Sequence, residues 1–430
     1  MQKSSLPNGS PSFAGFPPCP NGKPPLGRFI PGEIHHGSPL NRIHAELLFR
    51  ALACDFHPQT MQTHRHLTTD RSHSILRFLK QQARALALTA FVAVSATQAH
   101  AQGCVTAHGS GLPSSMNEGD GSQPWDVSVS YRWYQSDRHY VGTAYQPQRD
   151  AAGDQVINRS NFVDLGLNYA ISPRYSISLT VPFVSHDRSQ TLKDANGVVF
   201  ERYHTQATGL SDISVIGNAW IFDPTTAPKG NFQVNFGFVL PTGKDDVRDT
   251  FESFDKATGK VFATQKYVDN SIQPGLGGYG INFGLNGYRS LGAGFTAYGS
   301  ANYTVTPQEV NRIGNSIGDS YVGRTGVEYA FGGTSGVSLS LGLRAEGVAV
   351  YDLIGGSLGS RRPGYSVAVE PGISIDRKKW SLRLYVPYAI QRDRLQSYPD
   401  KVKTWATGKY TQGDAAFANY LIIWSFNYKL

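Results

Sequence analysis

The chain ends on "YLIIWSFNYKL", Tyr420 to Leu430, in which an apolar or aromatic residue recurs at every second position. Such alternation is the pattern of a β-strand with one apolar face. In water, a long apolar strand at a sheet edge promotes aggregation. The same strand is stable if it closes a barrel and hydrocarbon surrounds its apolar side, because a closed barrel has no free edge. The stretch therefore predicts the closing strand of a membrane barrel.

The two-residue period continues along the chain from Trp125 onward. In "WDVSVSYRW" (125–133), "YSISLTVPF" (175–183) and "FQVNFGFVL" (232–240), apolar residues alternate with polar or small ones. Glycine blurs the alternation in the sixth segment, and the fourth leaves open which of its faces is outside. The pattern predicts twelve strands, an even number as in bacterial single-chain barrels. They start near residues 125, 161, 175, 210, 231, 271, 294, 319, 336, 364, 380 and 416.

The connections between these segments alternate in length. The links after strands 2, 4, 6, 8 and 10 are short, while those after the odd-numbered strands are longer, at roughly 138–160, 187–209, 243–269, 306–318, 351–363 and 392–415. Outer-membrane barrels have short periplasmic turns and long extracellular loops. The predicted fold class is therefore all-β, a transmembrane antiparallel up-and-down β-barrel of about 12 strands that occupies residues 125–430.

A leader precedes the barrel. "RSHSILRFLKQQARALALTAFVAVSATQAHA" (71–101) has a basic start, an apolar run and a small-x-small ending, which together indicate a cleavable signal peptide. We expect cleavage to leave Gln102 as the first residue, followed by a periplasmic segment over 102–124. Residues 1–70 are rich in Pro and Gly, and either form a disordered upstream segment or precede a true translation start at Met61.

The net charge of +8 does not indicate a nucleic-acid partner. Residues 1–101 hold 10 of the 40 Lys and Arg and 4 of the 32 Asp and Glu, so their net charge is +6 and that of the remainder is +2. A basic leader ahead of a nearly neutral body is not the footprint of a DNA-binding protein.

The polar face of the strands predicts the residues inside the barrel. Two interpretations stay open for its charged members: a constriction that selects solutes, or an ion-pair network that fills the lumen. Those on strands 8 to 11 are close enough to form one connected cluster on one wall. The charged lumen candidates are Arg132, Asp164, Arg324, Glu328, Arg344, Glu346, Glu370 and Arg383.

Aromatic residues near the strand ends predict the two girdles that such barrels place at the membrane surfaces. The final strand also resembles the C-terminal signal that the bacterial barrel-assembly machinery reads, although it ends on Leu430 instead of the customary Phe. The predicted girdle residues are Trp125, Trp133, Tyr169, Tyr175, Trp380, Tyr388, Trp424 and Tyr428.

The long loops carry little that points to catalysis or to a metal. The acidic loop after strand 5 does not have the spacing of an EF-hand and is expected to be a solvated hairpin. Asn196-Gly197 is a tight-turn signal and predicts a projecting hairpin after strand 3. His139, His186 and His204 fall at outer strand ends, and a surface hydrolase is the alternative they leave open. We expect no cofactor and no metal.

Two stretches resemble a known family. "GLSDISVIGNAW" (Gly209–Trp220) and "VNFGFVLPTGKDD" (Val234–Asp246) are similar to the Gly-Leu-x-Asp and Leu-Pro-Thr-Gly segments of the outer-membrane family named for the MetA pathway of phenol degradation. The resemblance covers about 160–430. It implies an outer-membrane transporter that helps hydrophobic or aromatic compounds to enter, and it assigns no ligand role to Asp212 or to Pro241-Thr242-Gly243.

The sequence thus favours a passive outer-membrane channel for small molecules, and the resemblance suggests that they are hydrophobic or aromatic. The alternative is a structural or adhesive barrel that acts through its loops. The expected partners are outer-membrane lipid and lipopolysaccharide, the assembly machinery and small-molecule solutes.

Overall fold

A computed structural model describes residues 102–103, 124–332 and 335–430. The predicted upstream segment and signal peptide, and most of the predicted periplasmic segment, lie outside the described residues and stay predictions. The strands of the described part are β1 (Gln102–Gly103), β2 (Trp125–Val141), β3 (Ala144–Tyr145), β4 (Ile157–Ala170), β5 (Tyr175–Lys193), β6 (Val199–Leu210), β7 (Ile213–Trp220), β8 (Gly230–Leu240), β9 (Arg248–Asp255), β10 (Lys260–Tyr267), β11 (Gly280–Gly292), β12 (Phe295–Val305), β13 (Ser320–Ala330), β14 (Val337–Val348), β15 (Gly364–Asp376), β16 (Trp380–Tyr385), β17 (Tyr388–Arg394) and β18 (Ala415–Lys429).

The strands close into an antiparallel barrel. Neighbours in sequence pair in turn from β2 to β18, and β18 pairs back with β2 from Tyr140 opposite Ala415 to Asp126 opposite Lys429. β6 with β7, and β16 with β17, each form one interrupted strand, so the wall has the twelve strands that the sequence predicts. At the start of β18, Gln102–Gly103 adds a short parallel pairing.

The outer surface of the wall is apolar. Phe236 is 50% exposed and Leu341 is 62% exposed, although both lie in the middle of strands. Phe426 on β18 and Leu430 directly after it are exposed, whereas Ile423, on the opposite face of β18, is 1% exposed and points inward. Water does not stabilise so much apolar area on a wall, whereas hydrocarbon does. The predicted outward row of the final strand is therefore confirmed.

The short and long connections lie as predicted. The short connections that follow Ala170, Trp220, Gly292, Ala330 and Asp376 lie at one end of the barrel, and the long connections lie at the other. The long connections contain helix α1 (Pro147–Ala151), helix α2 (Tyr398–Thr407) and a 3-10 turn at Asn270–Ile272. Neither helix in the described part of the chain has the length and apolarity that crossing a bilayer requires.

Three predicted boundaries need correction. The fourth wall strand begins at Val199 instead of near 210, because β5 and β6 extend past the membrane-facing rows as a hairpin. The sixth begins at Gly280 instead of near 271, because the preceding residues form the 3-10 turn and a Gly-rich loop. The eleventh is interrupted at 386–387, where Pro387 cannot donate a ladder hydrogen bond.

Two hairpins rise from the long-loop end, as the sequence predicts. In the first, β5 returns into β6 through a turn in which Gly197 has a φ of +83°, a conformation that glycine adopts without strain. In the second, β9 and β10 pair with each other from Arg248 opposite Tyr267 to Asp255 opposite Lys260. They form a separate two-stranded sheet.

The pairing also decides which face of the fourth wall strand is outside. Val215 is exposed on the outer surface, whereas Ser214, Ile216 and Asn218 line the interior. Their neighbour Trp220 is buried inside, where its ring lies 5.9 Å from that of Tyr288.

Candidate functional site

The barrel encloses a cavity of about 200 Å³. Its lining comes from β2, β4, β5, β7, β8, β11, β12, β13 and β18, together with the start of the long loops, and no lining residue comes from β14 to β17. The cavity therefore occupies one side of the lumen. Most of its lining side chains are Ser, Thr, Asn or Gln, and a few are apolar, such as Phe162 and Val239.

Asparagine side chains form a ladder across this side of the wall. Asn235 Nδ2 donates to Asn218 Oδ1 at 2.6 Å, and Asn286 Nδ2 donates to Asn235 Oδ1 at 2.9 Å. Farther round the wall, Asn218 Nδ2 donates to Ser178 Oγ at 2.9 Å, and that hydroxyl donates to Asn168 Oδ1, also at 2.9 Å. These bonds run from β4 to β11, and they make this part of the wall neutral and polar.

The opposite side of the lumen holds a buried ionic group, the wall cluster, formed by Arg324, Arg344, Glu346 and Glu370. Glu370 is its hub: Oε1 accepts from Arg324 Nε at 2.7 Å, and Oε2 lies 3.7 Å from Arg344 Nη1. Arg344 Nη2 also donates to Glu346 Oε2 at 2.8 Å. The guanidinium of Arg324 lies 4.4 Å from the centroid of the Tyr385 ring. All four charged side chains are buried.

The other charged lumen candidates lie apart from the wall cluster. Arg383 Nη2 lies 3.4 Å from Asp376 Oδ1, and Glu328 has no ion-pair partner within 4.0 Å among the described residues. The six-residue cluster expected on strands 8 to 11 is thus corrected to four, because the register places these two side chains closer to the short turns. Arg132 and Asp164 line the cavity instead.

The lumen is therefore partly open and partly filled. The wall cluster and Tyr385 occupy the inner side of β14 to β16, where the cavity does not extend, and Arg324 joins them from β13. An apolar group of Tyr134, Phe162, Val184 and Ile423 packs inside β2, β4, β5 and β18. The wall cluster contains ion pairs, as one of the two interpretations of the charged candidates requires, and a constriction that selects solutes stays a prediction.

A second ionic group, of buried and half-buried side chains, joins the long loops at the mouth of the barrel. We call it the loop cluster; its members are His139, Arg149, Arg188, Asp269, Arg362 and Asp414. Asp269 lies between two arginines, with Oδ2 at 3.3 Å from Arg188 Nη2 and Oδ1 at 3.6 Å from Arg362 Nη1. These three residues come from β5, from the loop before β11 and from the loop before β15, so one carboxylate joins three segments.

Asp414 forms the other half of the loop cluster. Its Oδ2 lies 2.9 Å from His139 Nδ1 and 2.5 Å from Arg149 Nη1. The backbone N–H of Val156 donates to His139 Nε2 at 3.0 Å, so this nitrogen is an acceptor and Nδ1 carries the proton that Asp414 accepts. His139 is completely buried, and it holds β2, the loop after β2 and the start of β18 together.

The charges of the loop cluster shift the pKa of its acids. Burial alone would raise the pKa of Asp269, but Arg188, Arg362 and hydrogen bonds from Ser271 outweigh it, so the pKa lies below the usual 3.8. Burial lowers the pKa of Arg362, yet a guanidinium stays protonated in proteins. Asp269 and Arg362 therefore both keep their charge at neutral pH. The pKa of Asp414 is lowered against its own burial by the hydrogen bond from His139 and by Arg149.

The two stretches that resemble a known family bind each other in the structure. Asp212 lies in the break between β6 and β7. Its Oδ1 accepts from the N–H of Gly243 at 3.0 Å and its Oδ2 accepts from the N–H of Leu276 at 2.8 Å. The aspartate therefore holds two segments together at the mouth, the one that follows β8 and the one that precedes β11.

Thr242 completes this contact from the other stretch. Its hydroxyl accepts from the N–H of Ile213 at 2.9 Å and donates to the carbonyl of Ser211 at 2.9 Å. Gly243 packs on Gly275 so closely that a Cβ on Gly243 would lie 2.7 Å from the Gly275 Cα. The motif residues thus have a structural role at the mouth, which sequence reasoning did not assign.

The other two predicted histidines, His186 and His204, do not form a common site with His139 in the described part of the chain. The His186 ring is buried 5.1 Å from that of Phe162, and His204 Nδ1 lies 2.8 Å from Asp187 Oδ1 on the exposed hairpin. The loop cluster was missed because its members are far apart in the sequence. Only the concentration of charged residues in otherwise polar loops could have suggested ion pairs there.

Several predicted girdle residues are in contact near the strand ends. The Trp125 and Tyr169 ring centroids are 4.5 Å apart, next to the short turns. Trp133 lies 5.9 Å from Tyr420, toward the long loops. Of the predicted set, Trp125, Tyr169, Tyr175 and Tyr388 are exposed, and Trp133, Trp380, Trp424 and Tyr428 are half-buried.

Comparisons with known proteins give structural matches alone. No protein-family model matches the chain, and no curated protein matches it in sequence. An outer-membrane channel from Pseudomonas putida F1 is similar in structure, with a TM-score of 0.47 and 11% identity, over 74% of this chain and 99% of that one.

Two other solved structures are similar to a lesser degree. The translocator domain of the autotransporter NalP from Neisseria meningitidis has a TM-score of 0.37 and 12% identity, over 83% of this chain and 98% of that one. The P. putida toluene transporter TodX has a TM-score of 0.36 and 9% identity, over 72% of this chain and 90% of that one. The assignment of the fold rests on the strand pairing of this chain.

Proposed function

We propose that the protein is a passive outer-membrane channel for small solutes. The observation that carries the proposal is the combination of an apolar outer wall with a polar cavity of about 200 Å³ inside a closed barrel. Hydrocarbon solvates the first surface and water or solute the second. Short turns at one end and long connections at the other support a periplasmic and an extracellular end, with export by a cleaved signal peptide and assembly through the final strand.

The class of solute is a further part of the proposal. The resemblance to the phenol-degradation family implies hydrophobic or aromatic compounds, and Phe162, Ile216 and Leu276 offer apolar contacts beside the polar lining. Three charged residues line the cavity: Arg132 and Asp164 have opposite signs, and Asp212 is held at the mouth by the N–H groups of Gly243 and Leu276. Uncharged solutes are therefore favoured over ions, and transport follows the concentration gradient without a catalytic step.

Liposome swelling with solutes of increasing size tests the channel. Asn302 and Ala301 are neighbours on β12, and Asn302 lines the cavity whereas Ala301 is exposed on the outside. We expect wild-type flux to fall with solute size, Asn302→Trp to lower it at least threefold, and Ala301→Trp to leave it unchanged. Equal flux in empty and protein-containing liposomes would refute the channel.

The second candidate function is a structural or adhesive barrel that acts through its loops. The loop cluster favours it, because Asp269 and Asp414 each join three segments over the mouth, six in all. Asp269→Asn separates the two functions. It should increase flux if the loops limit the entry of solute, whereas liposomes that stay sealed with both the wild type and this variant would support the structural barrel.

A further inference from the structure

Helix α2 is a well-formed helix at the mouth of the barrel, and we call it the rim helix (Tyr398–Thr407). Ser397 Oγ accepts from the N–H of Asp400, and the Asp400 carboxylate accepts from the N–H of Ser397 at 3.0 Å, a reciprocal cap. Gly408 ends the helix with a φ of +65°. Asp400 also lies 3.2 Å from Arg394 Nη2, which anchors the helix to the end of β17.

One face of the rim helix exposes apolar side chains. Val402, Trp405 and Ala406 are three and four residues apart and therefore lie on the same side. Trp405 is 81% exposed, the highest value among the large hydrophobic side chains of the described residues. A capped helix that holds an indole in this position is typical of a surface that enters a membrane interface, where Trp is enriched.

The accessible charge around this face is positive. Residues 395–413 contain Lys401, Lys403 and Lys409, and their one acidic residue is Asp400, which is already bound to Arg394. Lys401 Nζ donates to Tyr351 Oη at 2.7 Å and lies 4.4 Å from the centroid of the Tyr351 ring. These contacts hold the ammonium group beside the helix. The face therefore complements an anionic partner.

The height of the rim helix identifies the partner. The outward apolar row of β17 ends at Ile390, which is 59% exposed, and the strand continues for four residues to Arg394. At about 3.3 Å per residue and a tilt of about 40°, Arg394 lies about 10 Å beyond the hydrocarbon. The helix begins four residues later, at Tyr398, just above the headgroup layer, which is about 5–8 Å thick on each side.

We propose that the rim helix docks on the phosphorylated glycolipid of the outer leaflet. Trp405 and Val402 enter the headgroup layer, and Lys401, Lys403 and Lys409 bind the phosphates of the lipid A moiety. The proposal rests on the proposed function, because it requires a barrel in the outer membrane with its long connections outside. It adds a specific lipid-binding surface to that function.

The test uses the full barrel in phosphatidylcholine vesicles with increasing amounts of lipid A. The emission of Trp405 is obtained as the difference between the wild type and Trp405→Phe. We expect a blue shift that saturates with lipid A. The triple variant Lys401→Gln, Lys403→Gln, Lys409→Gln should raise the half-saturating fraction of lipid A at least tenfold, because each lysine contributes separately to attraction at an anionic surface.

The β9–β10 hairpin supplies a matched control. It also carries three lysines, Lys256, Lys260 and Lys266, but Asp249, Glu252 and Asp255 offset them. Neutralising these three lysines should leave the titration unchanged. The proposal is overturned if Trp405 emission does not change with lipid A, or if the hairpin control variant weakens the response as much as the rim-helix triple variant does. It is also overturned if phosphatidylglycerol at equal surface charge produces the same response.

Heat modifiability on a gel, measured on the same vesicles, keeps the two proposals separate. A barrel that inserts but does not respond to lipid A refutes the lipid-binding surface alone. Failure of the wild type to insert in any vesicle refutes the membrane barrel itself, and with it the proposed function.

Discussion

Replacing Glu370 with Gln should strongly destabilise the barrel. Glu370 is completely buried, and its carboxylate is the hub between Arg324 and Arg344. Glutamine keeps the shape of the side chain but removes the charge, so the wall cluster changes from neutral to a net charge of +1. Arg344 keeps Glu346 as a partner, whereas the structure provides Arg324 with no second carboxylate within 4.0 Å among the described residues.

The size of the effect follows from the geometry. Two unit charges about 4 Å apart attract by about 4 kcal/mol at an effective dielectric constant near 20, and Glu370 has two such partners. The desolvation of the carboxylate offsets part of this attraction. Removal of one partner from a buried ion pair costs about 3–5 kcal/mol, and we expect Glu370→Gln to lower the free energy of unfolding by that amount.

Urea unfolding in lipid vesicles, followed by tryptophan fluorescence, measures this change. The same substitution at the exposed Glu201 is the control and should leave the midpoint unchanged. Adding Arg324→Met to Glu370→Gln should recover more than half of the loss, because the uncompensated cation is then gone. If Glu370→Gln unfolds at the wild-type urea concentration, the wall cluster does not stabilise the barrel and the reasoning fails.

Three further substitutions or conditions test other parts of the structure. Gly243→Ala should lower the free energy of unfolding by about 1–3 kcal/mol, because its Cβ would lie 2.7 Å from a neighbouring backbone atom, whereas Gly332→Ala, with nothing within 4 Å, should change it by less than about 0.5 kcal/mol in the same urea assay. Leu341→Arg places a charge on the lipid face and should cost about 2–4 kcal/mol, measured as the shift in vesicle unfolding. The lowered pKa of Asp269 means that its contribution is complete above pH 3.8 and is lost as the pH falls through the lower folded-state pKa, so pepsin should cleave the long loops of the wild type only in that acid range. Asp269→Asn should be cleaved already at higher pH, and equal resistance of the two proteins would contradict this role.

The barrel could be predicted from the sequence because its determinants are local. Alternation in stretches such as Phe232 to Leu240 specifies an inside and an outside for each strand, and the lengths of the connections specify the two ends. Errors arose where local signals were weak: glycine obscured the true start of β11 at Gly280, and the Asn196-Gly197 turn signal predicted a hairpin without showing that its second strand, from Val199, continues into the fourth wall strand.

The tertiary structure alone decided how the interior is divided and how the mouth is held. The sequence placed Arg324, Glu328, Glu370 and Arg383 on inward faces, but their partners depend on the register between strands. That register selected Glu370 as the hub and left Glu328 and Arg383 outside the wall cluster. Asp269 binds arginines that lie 81 and 93 positions away in the chain, at 188 and 362. Periodicity carries no information about such distant pairs, because they form only when the closed wall brings separate loops together.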